Sequence, residues 1–405
     1  MLDIKFIREN KDLIKEAARK KRVKVDVDQL LEIDEKRRAL IQEIDNLREA
    51  HKKFTGVSEE AKNSKDKLSH KEFELKAVGD EFEELMLQVP NVPDPSVPEG
   101  ESDADNQEVR KWGEARASSG KDYLAIMRER DMLDLERGVK VSGFRGYFLK
   151  GDSALLSMAL WQFTLDFLIK KGFAPFLAPV LVRRENIVGT GWFPQAEEDI
   201  YKTQDDLYLS GTAEAPMMGY HADEILKEEE LPKKYAAFSP AYRREIGSYG
   251  KDTKGIFRVH EIYKVEQIVL CKADHQESVS WHEELTKNSE EIMQALEIPY
   301  RVVLNCGGDL GLGQVKKYDI EGWIPSEKRY RETHSASYFH DFQTRRLNIK
   351  YRDSVGKLHF AHSLNNTAIA TPRILEAFLE NNLREDGSVK IPEALQKYYG
   401  ASGLL

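Results

Sequence analysis

The sequence has few of the residues and motifs on which several common functions depend. Its 405 residues include only two cysteines, Cys271 and Cys306, and neither has a second cysteine or a histidine at metal-binding spacing. This scarcity argues against a disulfide framework or a cysteine-based zinc cluster, and we expect both side chains to be buried apolar fillers. The P-loop pattern GxxxxGK(S/T) is absent, and no GxGxxG follows a predicted strand, so neither nucleotide-binding motif is present.

Long apolar segments and an excess of one charge are also missing. The N-terminal stretch MLDIKFIRENKDLIKEA has no apolar core of a signal peptide, and no run is long enough to cross a bilayer. We therefore expect a cytoplasmic protein without a membrane partner. Lysine and arginine number 61 against 70 aspartates and glutamates, which gives a net charge of -9. Because an acidic protein still binds nucleic acid when its basic residues share one face, this charge does not decide that partner.

What the sequence does contain begins with two long helical patterns. Between residues 28 and 54, apolar side chains recur every three or four positions without glycine or proline, and Arg37 and His51 fill two vacant positions of the stripe. The spacing resumes between residues 68 and 89, which predicts an antiparallel coiled-coil hairpin. Its tip carries Lys52, Lys53, Lys62, Lys65 and Lys67. These lysines suit nucleic acid, but a solvated hairpin used as a spacer or for dimerisation has the same pattern.

Prolines mark the end of the hairpin. Pro90, Pro93, Pro95 and Pro98 exclude both a helix and a central strand, so they predict a linker. We therefore predict two domains, residues 1–105 and residues 106–405. The second domain combines a helical pattern that ends at Gly172 with alternating, strand-like runs, which predicts an α+β fold around an antiparallel sheet.

The stretch AYRREIGSYGKDTKGIFRVHEIYKVEQIVL, residues 241–270, carries many charges for two strands and a loop. Arg243 and Glu245 are two apart, so we expect them on one strand face, with Arg258 at the start of the return strand and Glu266 further along. Two arginines on one face repel each other unless an anion lies between them, and their planar forks suit phosphate. Cross-strand salt bridges of a surface hairpin explain the same charges, so both interpretations stay open.

Two other stretches bear on this choice. In YRETHS, Glu332 and Ser335 offer a carboxylate and a hydroxyl that suit Mg²⁺, although an exposed strand end has the same pattern. In HSLNNTAIATPRILEAFLENN, Pro372 stands where a helix should begin, and Arg373 falls in its first turn. A cation at that position opposes the helix dipole, so Arg373 predicts an anionic ligand shared with the helix N-terminus.

Together these motifs resemble the class II aminoacyl-tRNA synthetases. YRRE with its return arginine is similar to motif 2, LNNTAIATPRILEAFLEN to motif 3, and KGFAPFLAPVLVRRENIVGTGWFP to motif 1, with Pro179 as its dimer-interface proline. GTAEAP, YDIEGWIP, YRETHSAS, DFQTRR and the hairpin resemble the seryl-tRNA synthetase family over the whole chain. The resemblance implies a homodimer whose N-terminal arm binds tRNA(Ser) and not DNA. It also implies a class II catalytic domain that uses ATP and Mg²⁺ to form seryl-adenylate from L-serine and then charges the tRNA.

The resemblance also implies roles for individual residues. Arg243 and Arg373 would be catalytic, with Arg243 holding the ATP α-phosphate and the serine carboxylate, while Arg258 and Arg373 hold the γ-phosphate and Glu245 contacts adenine. The implied ATP-binding set is Arg243, Arg244, Glu245, Arg258, Val259, Glu332, Thr333, His334, Ser335 and Arg373, in which Glu332 and Ser335 would bind the metal. The implied serine-binding set is Thr212, Ala213, Glu214, Arg243, Glu266, Asn365 and Thr367.

The chain departs from the family pattern at several positions. Ile262 stands where an aromatic residue usually stacks on adenine, Ala215 follows the TAE triplet, and His334 and Tyr338 replace smaller or amide residues. Two other functions are compatible with parts of this pattern: a non-catalytic paralogue that binds RNA or acts as a scaffold, and an enzyme that loads an amino acid onto a carrier protein. The retained charged residues argue against the first, and the arm argues against the second.

Overall fold

The computed structural model describes residues 1–52, 59–246, 252, 254–400 and 405. Its residues form two compact units, Met1–Val92 and Pro93–Leu405. The helices are α1 (Ile4–Glu9), α2 (Lys11–Lys20), α3 (Val27–His51), α4 (Glu59–Gln88), α5 (Tyr123–Glu129), α6 (Leu135–Ser142), α7 (Asp152–Lys170), α8 (Arg184–Thr190), α9 (Glu214–Gly219), α10 (His275–Ala295), α11 (Phe342–Arg346), α12 (Arg373–Asn382) and α13 (Glu393–Tyr399). The strands are β1 (Gln107–Trp112), β2 (Leu133–Asp134), β3 (Phe148–Leu149), β4 (Ala174–Leu177), β5 (Leu181–Val182), β6 (Tyr208–Leu209), β7 (Ile225–Lys227), β8 (Lys233–Tyr242), β9 (Glu261–Cys271), β10 (Tyr300–Leu304), β11 (Lys316–Ile324), β12 (Arg329–His340), β13 (Lys350–Arg352), β14 (Leu358–Phe360) and β15 (His362–Thr371). None of these helices is long and apolar enough to cross a membrane.

The first unit contains the predicted helical hairpin. Helix α3 begins where the Asp26 side chain accepts a hydrogen bond from the Gln29 amide, an N-cap that satisfies one free donor of the first turn. Arg37 and His51 fill the vacant positions of the apolar stripe with polar contacts: the Arg37 guanidinium lies 4.4 Å from the Phe82 ring centroid, and His51 Nδ1 lies 3.2 Å from Ser64 Oγ. Because residues late in α3 meet residues early in α4, the two helices are antiparallel, as predicted. The predicted tip residue Lys53 lies outside the described residues.

The two units divide earlier than the predicted boundary after residue 105. From Pro93 onward the proline-rich segment is held by the second unit: the Asp94 amide donates to the Val315 carbonyl at 2.9 Å, and the Gly307 amide donates to the Pro98 carbonyl at 2.9 Å. The buried Tyr338 hydroxyl also donates to Asp94 Oδ2 at 2.8 Å. The prolines do exclude helix and strand, but the segment is packed against the second unit and is not a free linker.

The second unit is built on an eight-stranded sheet in the order β1-β10-β11-β12-β15-β9-β8-β4. Every neighbouring pair is antiparallel except β4 and β8, which are parallel. The α+β prediction is therefore confirmed, with one parallel edge pair added to the antiparallel sheet. The segment IKYRDSVGKLHF forms a separate hairpin of β13 and β14, with Gly356 at φ 89° in the turn. That positive φ favours glycine.

Strand alternation gives the sheet two chemically different faces. On β9, Gln267 points to helix α10, where its side chain donates to the Leu285 carbonyl at 3.2 Å and contacts Ser289. The adjacent residue, Glu266, therefore points to the opposite face, and so does Lys264 two positions earlier. The face covered by helices buries a large apolar core, which includes Leu160 of α7 and Phe378 of α12. The opposite face carries the charged groups described next.

Candidate active site

The charged stretch predicted as a hairpin has a shorter strand than expected. Strand β8 ends at Tyr242, and β9 begins at Glu261, so Arg243, Glu245 and Arg258 all lie in the connection and not on the strands. The reason is local: Glu245 adopts a φ of 57°, a left-handed conformation that a strand does not accommodate. Residues 247–251 and 253 of this connection lie outside the described residues. The two predicted ATP ligands Glu245 and Arg258 still meet, with Arg258 Nη1 2.6 Å from Glu245 Oε2.

A cavity of about 290 Å³ lies on the charged face of the sheet. Its lining includes six of the seven predicted serine-binding residues: Thr212, Glu214, Arg243, Glu266, Asn365 and Thr367. The seventh, Ala213, packs instead into an apolar cluster with Met217 and Tyr235. The Arg243 guanidinium lies 4.9 Å from the centroid of the Trp192 ring, and its Nε donates to the Gly211 carbonyl at 3.3 Å. Arg243 is therefore positioned by an aromatic wall and a backbone oxygen.

Glu266 is the centre of a hydrogen-bond network at the cavity floor. Lys264 Nζ lies 2.5 Å from Glu266 Oε2, and the Thr212 hydroxyl donates to the same oxygen at 3.1 Å. The Thr367 hydroxyl donates to the other oxygen, Oε1, at 3.3 Å. The Glu214 amide donates to Thr212 Oγ1 at 3.2 Å, which leaves the threonine proton directed at Glu266. The cavity therefore offers a charged acceptor that neutral and cationic donors hold in place.

Glu214 is the second carboxylate of the cavity, and its surroundings differ. Gln343 Nε2 donates to Glu214 Oε1 at 2.6 Å, while the Gln343 carbonyl oxygen accepts from the Ser363 hydroxyl at 2.7 Å. No lysine or arginine among the described residues forms an ion pair with Glu214. Burial raises the pKa of the Glu214 carboxyl to about 7, because desolvation penalises its charged form. Lys264 lowers this pKa from a distance, but in the described part of the chain Glu214 has no directly paired cation, and an ammonium ion in the cavity would supply one.

The predicted metal ligands Glu332 and Ser335 are brought to one face by a β-bulge. Regular alternation would place residues three apart on opposite faces. In β12, however, His334 pairs with Ile320 and Glu332 pairs with Glu321, so Thr333 is an extra residue in the strand. Desolvation raises the pKa of Glu332, but the surrounding cations, Arg373 foremost, outweigh it and hold this pKa below its usual value.

Thr333 and His334, which lie between these two residues, bond to neighbouring strands of the sheet and do not line the cavity. Thr333 and His334, predicted as ATP-binding, are buried: the Thr333 hydroxyl donates to the Ile320 carbonyl, and His334 Nε2 lies 3.0 Å from the Ala368 carbonyl. Burial also lowers the pKa of His334 to about 4, so the ring is neutral at physiological pH. Tyr338, the other departure in this strand, is fully buried, and Ser337 and Phe339 line the cavity beside it.

Arg373 stands at the start of helix α12, as predicted, directly after the N-cap residue Pro372. Its Nη1 lies 3.5 Å from Glu332 Oε1, and its guanidinium lies 4.7 Å from the centroid of the Phe257 ring. The electrostatic cost of a cation at this helix end is therefore offset by a carboxylate of the protein. Arg373 joins the predicted phosphate-binding end of the site to the predicted metal ligands.

Two predicted ATP-binding residues lie apart from this cluster. The Arg244 side chain is exposed and donates to the Glu198 carbonyl at 2.9 Å, while its amide donates to the Asp199 carbonyl. Val259 is buried in the main apolar core. Ile262, at the expected stacking position, also packs against that core. The aromatic ring beside Arg373 is that of Phe257.

Three residues of this site were not predicted from the sequence. Lys264 and Trp192 line the cavity, and Gln343 positions Glu214. Lys264 could have been found, because it lies two positions from Glu266 on a predicted strand and therefore shares its face. Nothing in the local pattern around Trp192 or Gln343 indicates that either meets residues distant in the chain.

The whole chain is similar to known proteins. Residues 1–93 match the seryl-tRNA synthetase N-terminal domain, and residues 198–382 match the tRNA synthetase class II core domain (G, H, P, S and T). The serine–tRNA ligase of Deinococcus radiodurans is 47% identical and covers 100% of this chain and 99% of the relative, and that of Caldicellulosiruptor saccharolyticus is 43% identical with 99% of each covered. The crystal structure of seryl-tRNA synthetase from Pyrococcus horikoshii complexed with ATP has a TM-score of 0.90, with 41% identity and 98% of each chain covered. Cytoplasmic serine-tRNA ligase from Naegleria fowleri in complex with AMP has a TM-score of 0.89, with 34% identity and 100% of this chain and 98% of that one covered.

Proposed function

Since the chain belongs to the seryl-tRNA synthetase family, we propose that the cavity beside β9 binds L-serine and that the arginines around it bind ATP. The matches to curated relatives and family models confirm the family, fold and enzyme class that the motifs predicted: the chain is a serine–tRNA ligase. It activates serine with ATP and transfers it to tRNA(Ser). The observation that supports the proposed site best is the convergence of Glu214, Arg243, Glu266 and Thr367 on one cavity.

The proposed orientation of serine follows from the charges of the cavity. The serine ammonium binds Glu214, which has no cation as partner, and the serine hydroxyl donates to Glu266 beside Thr367. Arg243 then binds the serine carboxylate, because it is the lining residue with a planar pair of donors. A pocket whose buried groups pair with a hydroxyl rejects alanine, since alanine leaves those groups unsatisfied. Threonine must be excluded by the size of the cavity.

The ATP phosphates, we infer, bind Arg258 and Arg373. In this structure each of these arginines is paired with a carboxylate, Arg258 with Glu245 and Arg373 with Glu332. Phosphate replaces the carboxylate on Arg258, which frees Glu245 to contact the adenine amino group. The relative from Pyrococcus horikoshii was solved with ATP, which supports the assignment.

Mg²⁺ fits the pair of oxygen groups offered by Glu332 and Ser335. The bulge at Thr333 places both on one face, and hard cations of this kind prefer carboxylate and hydroxyl oxygens. Within the described ranges no three histidine, cysteine or acidic side chains are grouped as a metal site, so Glu332 and Ser335 would hold the ion together with oxygens of phosphate and water. When bound, the ion neutralises developing charge on the phosphates.

The protein's own part in the reaction is positioning and charge stabilisation. The serine carboxylate is already a nucleophile and needs no general base, so its attack on the α-phosphate depends on alignment. Arg243 holds the carboxylate and the α-phosphate together and stabilises the charge of the transition state. Arg373 binds the departing pyrophosphate. The 3′-hydroxyl of the tRNA then attacks the seryl-adenylate.

We also propose that the first unit is a tRNA arm and that two copies of the chain form a dimer in the cytoplasm. The arm is supported by the lysines near the hairpin tip and by its match to the family's N-terminal domain. The dimer is supported by large apolar side chains left exposed on α7 and around β4 and β5, where Pro179 lies. These include Met158, 59% exposed, and Leu177, 83% exposed. Sedimentation velocity tests the dimer directly: a Leu177→Glu variant should shift toward the monomer.

Two assays on purified protein test the site. Serine-dependent exchange of pyrophosphate into ATP reports the first step, and charging of total tRNA reports the second. We expect serine, but not alanine or threonine, to support exchange efficiently. A Glu214→Gln variant that exchanges as fast as wild type would show that the serine site lies elsewhere.

A further inference from the structure

The two carboxylates of the cavity raise a problem for any substrate with one ammonium group. Glu214 and Glu266 both line the cavity, and both are buried. A serine ammonium is attracted to either carboxylate. Only one of the two orientations, however, places the serine carboxylate beside Arg243 for reaction. Something in the protein must therefore make the two carboxylates different.

Lys264 is the side chain that distinguishes them. Its ammonium lies 2.5 Å from Glu266 Oε2, and both side chains are buried, at 8% and 4% exposed. Glu214 instead has neutral amides in the same role, those of Gln343, at 2.6 Å, and Asn365. The charge of Glu266 is therefore compensated by a direct ion pair, whereas Lys264 acts on Glu214 only as a weaker electrostatic influence. The carboxylate without a direct ion pair is the one that gains more from a substrate cation.

The same contacts leave one oxygen of Glu266 available to a hydroxyl. Each carboxylate oxygen accepts about two hydrogen bonds. Among the described residues, Lys264 and Thr212 contact Oε2, whereas Oε1 accepts only from the Thr367 hydroxyl, at 3.3 Å. The remaining acceptor position of Glu266 is thus on Oε1, beside Thr367. A substrate hydroxyl fits there because it donates a hydrogen bond without bringing a second positive charge next to Lys264.

We propose that Lys264 is a specificity-determining residue: by neutralising Glu266, it directs the substrate ammonium to Glu214 and reserves Glu266 for the hydroxyl. The proposal rests on the proposed function of this cavity as the serine site. Without Lys264 the ammonium distributes between two carboxylates. Part of the bound serine then lies in an orientation that does not react.

Pyrophosphate exchange on the full-length protein tests this role. In Lys264→Met, kcat for serine should fall about tenfold or more, because misplacing a reactant costs up to about 10²-fold. The KM for serine should not rise, because the misplaced serine still occupies the cavity. The ratio of serine to alanine activation should also fall, since Glu266 no longer reads the hydroxyl. Lys272→Met, which removes an exposed lysine paired with Glu228 outside the cavity, is the matched control and should behave as wild type.

A double variant separates this role from a general structural one. Lys264→Met/Glu266→Gln removes both charges, so Glu214 is again the only carboxylate that competes for the ammonium. We expect its kcat for serine to exceed that of Lys264→Met, whereas a lost structural contact or a lost contact to the serine carboxylate would not be restored. A raised KM in Lys264→Met with no recovery in the double variant overturns the proposal. If Glu214→Gln also exchanges normally, the serine site itself is misassigned, which is a different failure.

Discussion

Replacing Arg373 by alanine should reduce catalysis far more than stability. Three small terms govern the effect on folding. The pair with Glu332 is 3.5 Å long with one partner 48% exposed, and such pairs contribute about 0–1 kcal/mol. The contact with Phe257 contributes about 0.5–1 kcal/mol. Removal of a cation from a helix N-terminus returns about 0.3–1 kcal/mol. The free energy of unfolding should therefore change by about 1 kcal/mol or less.

The catalytic term is larger because Arg373 is a preorganised donor to the pyrophosphate end of ATP. Loss of such a donor costs about 2–4 kcal/mol of transition-state stabilisation. This corresponds to a fall of about 30- to 900-fold in the kcat/KM of serine-dependent pyrophosphate exchange. Chemical denaturation of the same preparation gives the change in stability. Arg352→Ala, an exposed arginine on β13, is the control and should exchange normally.

Two results would refute this reasoning about Arg373. If exchange stays within about threefold of wild type, Arg373 does not bind the phosphates, because one charged hydrogen bond is worth more than that. If exchange and the free energy of unfolding fall by similar amounts, the side chain has a structural role at the start of α12. In that case the ion pair with Glu332 would serve to stabilise the fold and not to position Arg373 for phosphate binding.

Further predictions concern the serine pocket, its pH dependence and the arm. Thr367→Val keeps the shape but removes a hydroxyl, so serine activation should fall about 10-fold or more while alanine activation is spared; equal losses would place Thr367 outside the pocket. Burial raises the pKa of Glu214 from 4.5 to about 7, so the folded state binds a proton that the unfolded chain releases in this range. The Glu214 contribution to stability should therefore fall as pH rises from 4.5 to 7, while serine activation rises. Glu214→Gln should remove that contribution but leave those of Asp319 and Glu376, whose pKa values burial also raises. Replacing residues 28–89 by a short Gly/Ser linker should preserve pyrophosphate exchange but raise the KM for tRNA strongly; loss of both steps would instead show that the hairpin is needed for folding or dimerisation. Salt should weaken tRNA charging in the intact protein, since the lysines meet phosphates.

Sequence patterns correctly predicted the features that depend on interactions between residues close together in the chain. The apolar stripe gave the hairpin, and the pattern ending at Gly172 gave α7, which ends at Lys170. Proline and arginine at the start of α12 were also read correctly, since the helix dipole acts within one turn. These features need no knowledge of distant residues.

The remaining features depend either on a local backbone conformation that the pattern does not show or on contacts between residues far apart in the chain. Strand β8 was predicted too long because nothing in YRRE shows that Glu245 turns into a left-handed conformation. The two compact units divide at residue 92 and not at the predicted boundary, because the partners of the proline-rich segment, such as Val315, lie more than two hundred residues away. Gln343 was missed because its role exists only once the fold brings it to Glu214.

The bulge in β12 has a consequence for how this strand can change during evolution. Before Thr333 the even-numbered residue Glu332 faces the arginines, whereas after it the odd-numbered Ser335, Ser337 and Phe339 face the cavity. The extra residue therefore switches the residues that face the site from even-numbered positions before Thr333 to odd-numbered positions after it. Deleting one residue here would restore regular alternation and turn one of the two sets to the wrong face. A substitution in this segment changes one side chain only. An insertion or deletion reorients either Glu332 or the residues that line the cavity, so the length of the segment is constrained by both.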